Sequence, residues 1–247
     1  NKVKMIAGGV LPGLVKCVHS SDQETAHQAC GVIANLAEST DNQEIMVEKG
    51  ILHHLKFVLR SPNTLVKREA SRAMANLSAE FEQTAVIESQ GGLPPMIMGL
   101  TSDDVLTQRF SAMGVGNLAS NPDNQEKVIR EGALEPLIRL ANLENGDVES
   151  QRYAVFALCN VSCNVTNQPA LLSKNILPLF VLLLGADDVD VRNAAVLGIS
   201  NFAAVADNHS LIMETNALEP LIKLMHERDI ETQLRSVSAI RGLSVDA

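Results

Sequence analysis

The residues able to do chemistry in this chain form repeating columns. Asparagine followed by an apolar residue stands at Asn35, Asn76, Asn117, Asn160 and Asn201, spaced 41, 41, 43 and 41 apart. A carboxamide offers one acceptor oxygen and two N–H donors, so it can satisfy both sides of a peptide unit. Eight residues before three of these asparagines stand Arg68, Arg109 and Arg152, and Arg72 lies four before Asn76. Guanidinium forks bind carboxylate and phosphate bidentately. Phe110, Met113 and Tyr153 fall in neighbouring columns and offer apolar or aromatic anchors, the side chains that concentrate binding energy in interfaces. All of this is recognition chemistry. The sequence shows no phosphate-cradling glycine loop, no zinc spacing and no nucleophile elbow. Cys159 and Cys163 stand four apart on one helix without a suitably placed further Cys or His, so they read as small core residues. No enzyme, cofactor or metal is expected.

The elements that position these columns follow from the period. A second series, Gly9, Gly50, Gly91, Gly132, Asn175 and Asn216, keeps the same spacings as the first, including the two-residue insertion. A period near 41 residues, held six times, indicates a helical solenoid, which builds an extended binding surface from stacked units. Hydrophobic residues make up 46% of the 247 and aromatics only 3%, with no Trp and one Tyr. Such a core suits closely stacked helices. The formal charge of −9 argues against general nucleic-acid binding, which needs a basic footprint. Four cysteines in a chain this long make no disulfide framework, and a reduced, cytoplasmic setting is expected. The longest apolar run, Leu179 to Leu184, is too short to span a bilayer. Any membrane recruitment would use segments outside this chain.

Residues 82–122 show the unit. A short helix over Glu82 to Ser89 is closed by Gly91 and Gly92, which favour left-handed C-terminal backbone. Pro94 and Pro95 open a second helix, where a missing N–H costs nothing. Ser102, Asp103 and Asp104 make a turn and offer a cap to a third helix, Val105 to Ala119. Winding that helix at about 100° per residue from each asparagine gives one buried face. It comprises the column two before (Ile33, Met74, Val115, Leu158, Ile199, Ile240), the one after (Leu36, Leu77, Leu118, Val161, Phe202, Leu243), and a column of Ala or Ser six before (Ala29, Ala70, Ser111, Ala154, Ala195, Ser236). The asparagines and arginines fall on the opposite, exposed face. Phe156, four before Asn160, is read as tilting into inter-repeat packing.

The unit resembles the armadillo repeat. Gly132-Ala133-Leu134-Glu135-Pro136-Leu137-Ile138 and Asn117-Leu118-Ala119 are close to that family's consensus. The resemblance runs through six copies, at about 1–40, 41–81, 82–122, 123–165, 166–206 and 207–247, and implies one all-α array, a right-handed α-solenoid of six three-helix repeats. The register is nearest to the vacuolar membrane armadillo scaffold and the armadillo-repeats-only adaptors. The family's peptide-clamping role carries over to Asn35, Asn76, Asn117, Asn160 and Asn201; Gly242 breaks the column in the sixth copy. The nuclear-import members add a Trp four before the asparagine, and none stands there in this sequence, which disfavours a basic localisation signal.

Two roles stay open for each polar column. The asparagines either grip a ligand backbone or bond to neighbouring repeats, and the arginines either receive an acidic or phosphorylated peptide or pair with local acids such as Glu69 and Glu149. The reading that follows is a non-catalytic adaptor holding an extended segment of another protein. The alternative is a scaffold that binds through its convex face or self-associates through uncapped ends. Nuclear import ranks third.

Overall fold

The computed structural model describes residues 1–142 and 146–245. Among these are eighteen α-helices, two short 3-10 turns and no strand. The chain divides into two compact units, Asn1–Ala133 and Leu134–Ala247.

The first unit runs α1 (Lys2–Ala7), α2 (Val10–Val18), α3 (Gln23–Ala37), α4 (Thr40–Glu48), α5 (Ile51–Val58) and α6 (Thr64–Leu77). It continues with α7 (Phe81–Ser89), α8 (Leu93–Gly99), α9 (Val105–Ala119) and α10 (Pro122–Arg130). The long helices α3, α6 and α9 pack side by side in that order. The second unit contains α11 (Leu134–Ala141), α12 (Val148–Ser162), α13 (Gln168–Ser173), α14 (Ile176–Leu183) and α15 (Val189–Ala203). It ends with α16 (His209–Glu214), α17 (Leu218–Leu224) and α18 (Ile230–Leu243). Here α12, α15 and α18 form the side-by-side row.

Local chemistry sets these boundaries. Each long helix begins at an Asx cap in extended backbone: Asp22, Asn63, Asp104, Asp147, Asp188 and Asp229. Each of these side chains accepts a hydrogen bond from a first-turn N–H, which satisfies donors the helix cannot pair internally. All six members of the second periodic series take positive φ, from 56° at Asn175 to 89° at Gly132. This reverses the chain between the short and second helices. Gly92 does not share that role: its φ is −77°, and Gly91 alone makes the turn.

The core columns are buried as the helical wheel requires except at the last helix, where Ile240 and Leu243 are only half-buried because no further repeat packs over α18. Ile33, Met74, Val115, Leu158 and Ile199 are fully inaccessible, as are Leu77, Leu118, Val161 and Phe202. The Ala/Ser column is buried in every copy, and small side chains there let adjacent helices approach. Gly198 marks another tight point, because a Cβ on it would lie 2.6 Å from the Phe180 ring.

A further set of amides closes the long helices. Nδ2 of Asn42, Asn124, Asn167 and Asn208 donates to the carbonyls of Leu36, Leu118, Val161 and Phe202, each at 3.0–3.2 Å. The adjoining Gln43, Gln125 and Gln168 donate to Ala37, Ala119 and Ser162. These buried side chains occupy the orphan carbonyls at helix C-termini. No helix among the described residues is long and apolar enough to cross a membrane.

Candidate functional site

The asparagine column faces two ways at once. In the first unit Nδ2 of Asn76 donates to the Ala34 carbonyl at 3.0 Å, and Nδ2 of Asn117 donates to the Ala75 carbonyl and Ser78 Oγ, both at 3.2 Å. In the second unit Nδ2 of Asn201 donates to the Cys159 carbonyl at 3.1 Å and to Ser162 Oγ at 2.9 Å. Each amide therefore ties its helix to the preceding long helix. Among the described residues no donor reaches Oδ1 of these three side chains. All three are half-buried, as is Asn160; Asn35 is exposed. Asn35 differs in bonding too, since its Oδ1 accepts from Arg72 at 2.9 Å.

The arginine column is not a free stripe. Arg68 donates from Nε and Nη2 to both carboxylate oxygens of Asp104, at 3.1 and 2.6 Å. Asp104 also caps α9 by accepting from the Thr107 N–H and hydroxyl. The fork and the cap together hold its carboxyl down to about 2. Arg152 repeats the arrangement on Asp188, at 3.3 and 2.6 Å, and adds Glu149 and Asp190, each at 3.1 Å. The guanidinium of Arg152 depresses Asp188, and Asp188 in turn raises Arg152. The shorter Asn193 takes the same place against Asp229 and Thr232. Arg72 pairs with Glu69 at 2.6 Å and Glu38 at 3.1 Å. The local acids Glu69 and Glu149 thus do pair with the arginines, but the principal partner of Arg68 and Arg152 is the Asp cap of the following long helix. The sequence carried a signal for it. The caps repeat 41, 41, 43, 41 and 41 apart, and Asp104 and Asp188 each lie 36 beyond an arginine.

The remaining predicted anchors separate by unit. Arg109, Phe110 and Met113 are half-buried on α9. Arg152 and Tyr153 line a cavity of about 350 Å³ on α12, α15 and α18, with Phe156, Ala194 and Leu197. Phe156 is 40% exposed. The expectation that it packs between repeats is corrected: four residues before Asn160, it lies on the same side of α12 as the asparagine and keeps part of its ring in solvent. Cys159 is buried, and burial pushes its thiol up to about 12, whereas Cys163, expected in the core as well, is exposed at the C-terminal end of α12. Cys159 remains a thiol at neutral pH. Among the described residues no group of three or more His, Cys, Asp or Glu is placed to hold a metal.

The Armadillo/beta-catenin-like repeat family matches residues 1–38 and 121–163. No curated protein sequence matches the chain. Solved structures do. A designed armadillo repeat protein, 26% identical, superposes with a TM-score of 0.89 over 95% of this chain and 100% of its own. Another, in complex with the peptide (KR)4, is also 26% identical, with a TM-score of 0.86 over 95% of this chain and 99% of its own. An engineered protein reaches 0.93 at 27% identity; it is matched by all of this chain but over only 61% of its own length. The all-α solenoid expected from the repeat is the fold class of these relatives. Periodic columns, capped three-helix units and these matches together show that the chain carries armadillo repeats and has the fold of armadillo-repeat proteins.

Proposed function

We propose that the protein is a non-catalytic adaptor that holds an extended segment of a partner protein along the asparagine-bearing face of its long helices. The observation that carries this is the divided asparagine. One N–H of Asn76, Asn117 and Asn201 is fixed on the preceding helix, which removes rotamer freedom from the side chain. Its unpaired carbonyl oxygen is then held ready for a main-chain N–H, and a pre-ordered acceptor binds at lower entropic cost. A designed protein of the same fold is known in complex with a peptide, which supports a peptide as the ligand class.

Charge supports the reading less than the sequence suggested. An acidic or phosphorylated segment would have to displace Asp104 or Asp188 from a bidentate fork, and Asp104 also caps a helix. An apolar or mixed segment binds without that exchange.

Fluorescence anisotropy with labelled ten-residue peptides of acidic, phosphorylated, basic and apolar composition tests the reading. Replacing Asn76 and Asn117 together by Ala should weaken every bound peptide by a similar factor, about five- to thirtyfold for two lost hydrogen bonds, because the contact is to main chain. If binding survives the double change, or only one side-chain class is affected, the asparagine column does not grip a peptide backbone. A phosphorylated peptide that binds tightest, and is lost with Arg152→Gln, restores the acidic-partner reading.

A further inference from the structure

In the first unit a cleft opens between the turn that ends α2 and the turn that ends α5. It lies at the N-terminal ends of α3 and α6, whereas Asn35 and Asn76 stand near their C-terminal ends. Its floor is apolar and buried, made of Val18, Ala26, Val58 and Val66. Phe57 and His19 form one wall. Their ring centroids are 5.0 Å apart, and His19 Nε2 shares a hydrogen bond with His54 Nδ1 at 2.9 Å, which holds the imidazole in place. Phe57 still leaves 64% of its surface in solvent. A partly wet aromatic ring at a recessed site is the usual anchor of an interface. At about 370 Å³ the cleft is at the low end of the roughly 300–1,000 Å³ of small-molecule sites, with room for one bulky side chain.

The charge at this cleft is one-sided. Among the described residues its lining contains one cation, Arg60, and no carboxylate. Arg60 is exposed and makes no ion pair or side-chain hydrogen bond, whereas Arg68, Arg72 and Arg152 are filled by acids. Neither α2 nor α5 contains an Asp or Glu, and together they carry Lys16, His53, His54 and Lys56. Asp22, in the turn after α2, is engaged as the cap of α3 through the Thr25 N–H and hydroxyl. Arg60 also borders the neighbouring cleft, where Arg68 holds Asp104 and Lys67 offsets the formal charge of Asp103. In a chain of net charge −9, an apolar floor therefore lies beside an uncompensated guanidinium.

We infer that this cleft docks a short acidic and apolar segment of a partner protein. A bulky aliphatic or aromatic side chain sits on the valines against Phe57, and an adjoining Glu or Asp lies on Arg60, whose fork suits a carboxylate. An acidic ligand at Arg68 or Arg152 must first displace a carboxylate of the fold; at Arg60 there is none to displace. Complementary charge selects the partner more than it adds affinity. A recessed floor with a single cation fits one side chain better than a plane of anionic lipid headgroups. The inference goes beyond peptide binding along the asparagines and does not depend on it.

The probe is N-acetyl-leucyl-glutamyl amide, titrated into protein carrying 13C-labelled Ala and Val methyl groups. The methyl resonances of Ala26, Val18, Val58 and Val66 should shift and saturate. Replacing the probe's Leu by Ala should weaken binding about tenfold, for the loss of one buried side chain. Replacing its Glu by Gln should weaken binding about threefold at low salt, with the difference vanishing in 1 M salt. Arg60 and Phe57 are exposed, so their replacement leaves the core intact. Arg60→Gln should erase the preference for Glu while leaving that for Leu, and Phe57→Ala should reduce the preference for Leu. Unshifted methyls, a lysine-bearing probe that binds as tightly as the Glu probe, or a Glu preference that survives Arg60→Gln overturns the site. Vesicles of phosphatidylserine that sediment the protein through Arg60, with no binding of the dipeptide, would make the partner a lipid surface and overturn it too. Replacing Asn76 and Asn117 by Ala should leave the dipeptide's affinity unchanged; a loss would place the probe on the asparagine face and refute the inference. Failure here leaves the binding of longer peptides along the asparagines untouched, and the converse holds.

Discussion

Asp104→Asn tests whether the arginine column belongs to the fold. The substitution keeps a good helix cap, since Asn and Asp cap equally well, and removes only the charge held by Arg68. The depression of Asp104 from its ordinary 3.8 to about 2 converts, at about 1.4 kcal/mol per pH unit, to about 2.4 kcal/mol. Arg68 keeps 28% of its side chain in solvent and Asp104 13%. Screening of that partly open pair lowers the expectation to about 1–2 kcal/mol. Because the carboxyl is depressed in the folded state, its contribution is fully present above its unfolded pKa, near pH 4. It is lost as pH falls toward 2.

The assay is urea unfolding of wild type, Asp104→Asn, Arg68→Gln and the double variant. Hydrogen exchange in α6 and α9 localises the effect, since a repeat array need not unfold in one step. The cycle should return a coupling of about 1–2 kcal/mol at pH 7, and the gap between wild type and Asp104→Asn should narrow steadily below pH 4. Strict additivity of the two single changes, or a gap at pH 3 as large as at pH 7, would refute the assignment of this pair to inter-repeat locking.

Two further outcomes test the packing. Leu118→Ala should cost about 2–5 kcal/mol, as burial at zero exposure implies. Asn117→Ala should cost about 1–2 kcal/mol for its hydrogen bonds to Ala75 and Ser78; equal losses in denaturant titrations would make the amide wholly structural. Gly198→Ala should destabilise by about 1–3 kcal/mol by driving a methyl group into Phe180, and an unchanged Tm would show that the ring moves aside freely.

What was legible in the sequence is what a single helix decides. Periodicity and capping place α9 at Val105–Ala119, the bounds observed, and the winding angle assigns Ile33, Leu118 and Phe202 to the interior. The arginines resisted that treatment because their partners lie on another helix. Winding angle says that Arg68 leaves the face opposite the core. It does not say that stacking brings the next cap, Asp104, within 2.6 Å. The buried Asn42, Asn124, Asn167 and Asn208 were overlooked for a similar reason. They belong to short helices and 3-10 turns, and their role appears only when the end of the preceding long helix is in place.

The same reasoning separates what stacking consumes from what it leaves. Stacked helices must satisfy helix ends and half-buried charges, and this chain does so with Asp caps, arginine forks and the N–H groups of its asparagines. Groups spent this way are costly to recruit for a ligand, because binding must first break a contact inside the protein. On the asparagine-bearing face two kinds of group remain outside these contacts: the Oδ1 atoms of Asn76, Asn117 and Asn201, and the exposed part of Phe156. None of them resembles a phosphate or carboxylate receptor. They comprise a main-chain acceptor and an apolar surface, and a ligand that uses them leaves the Asp caps and arginine forks in place.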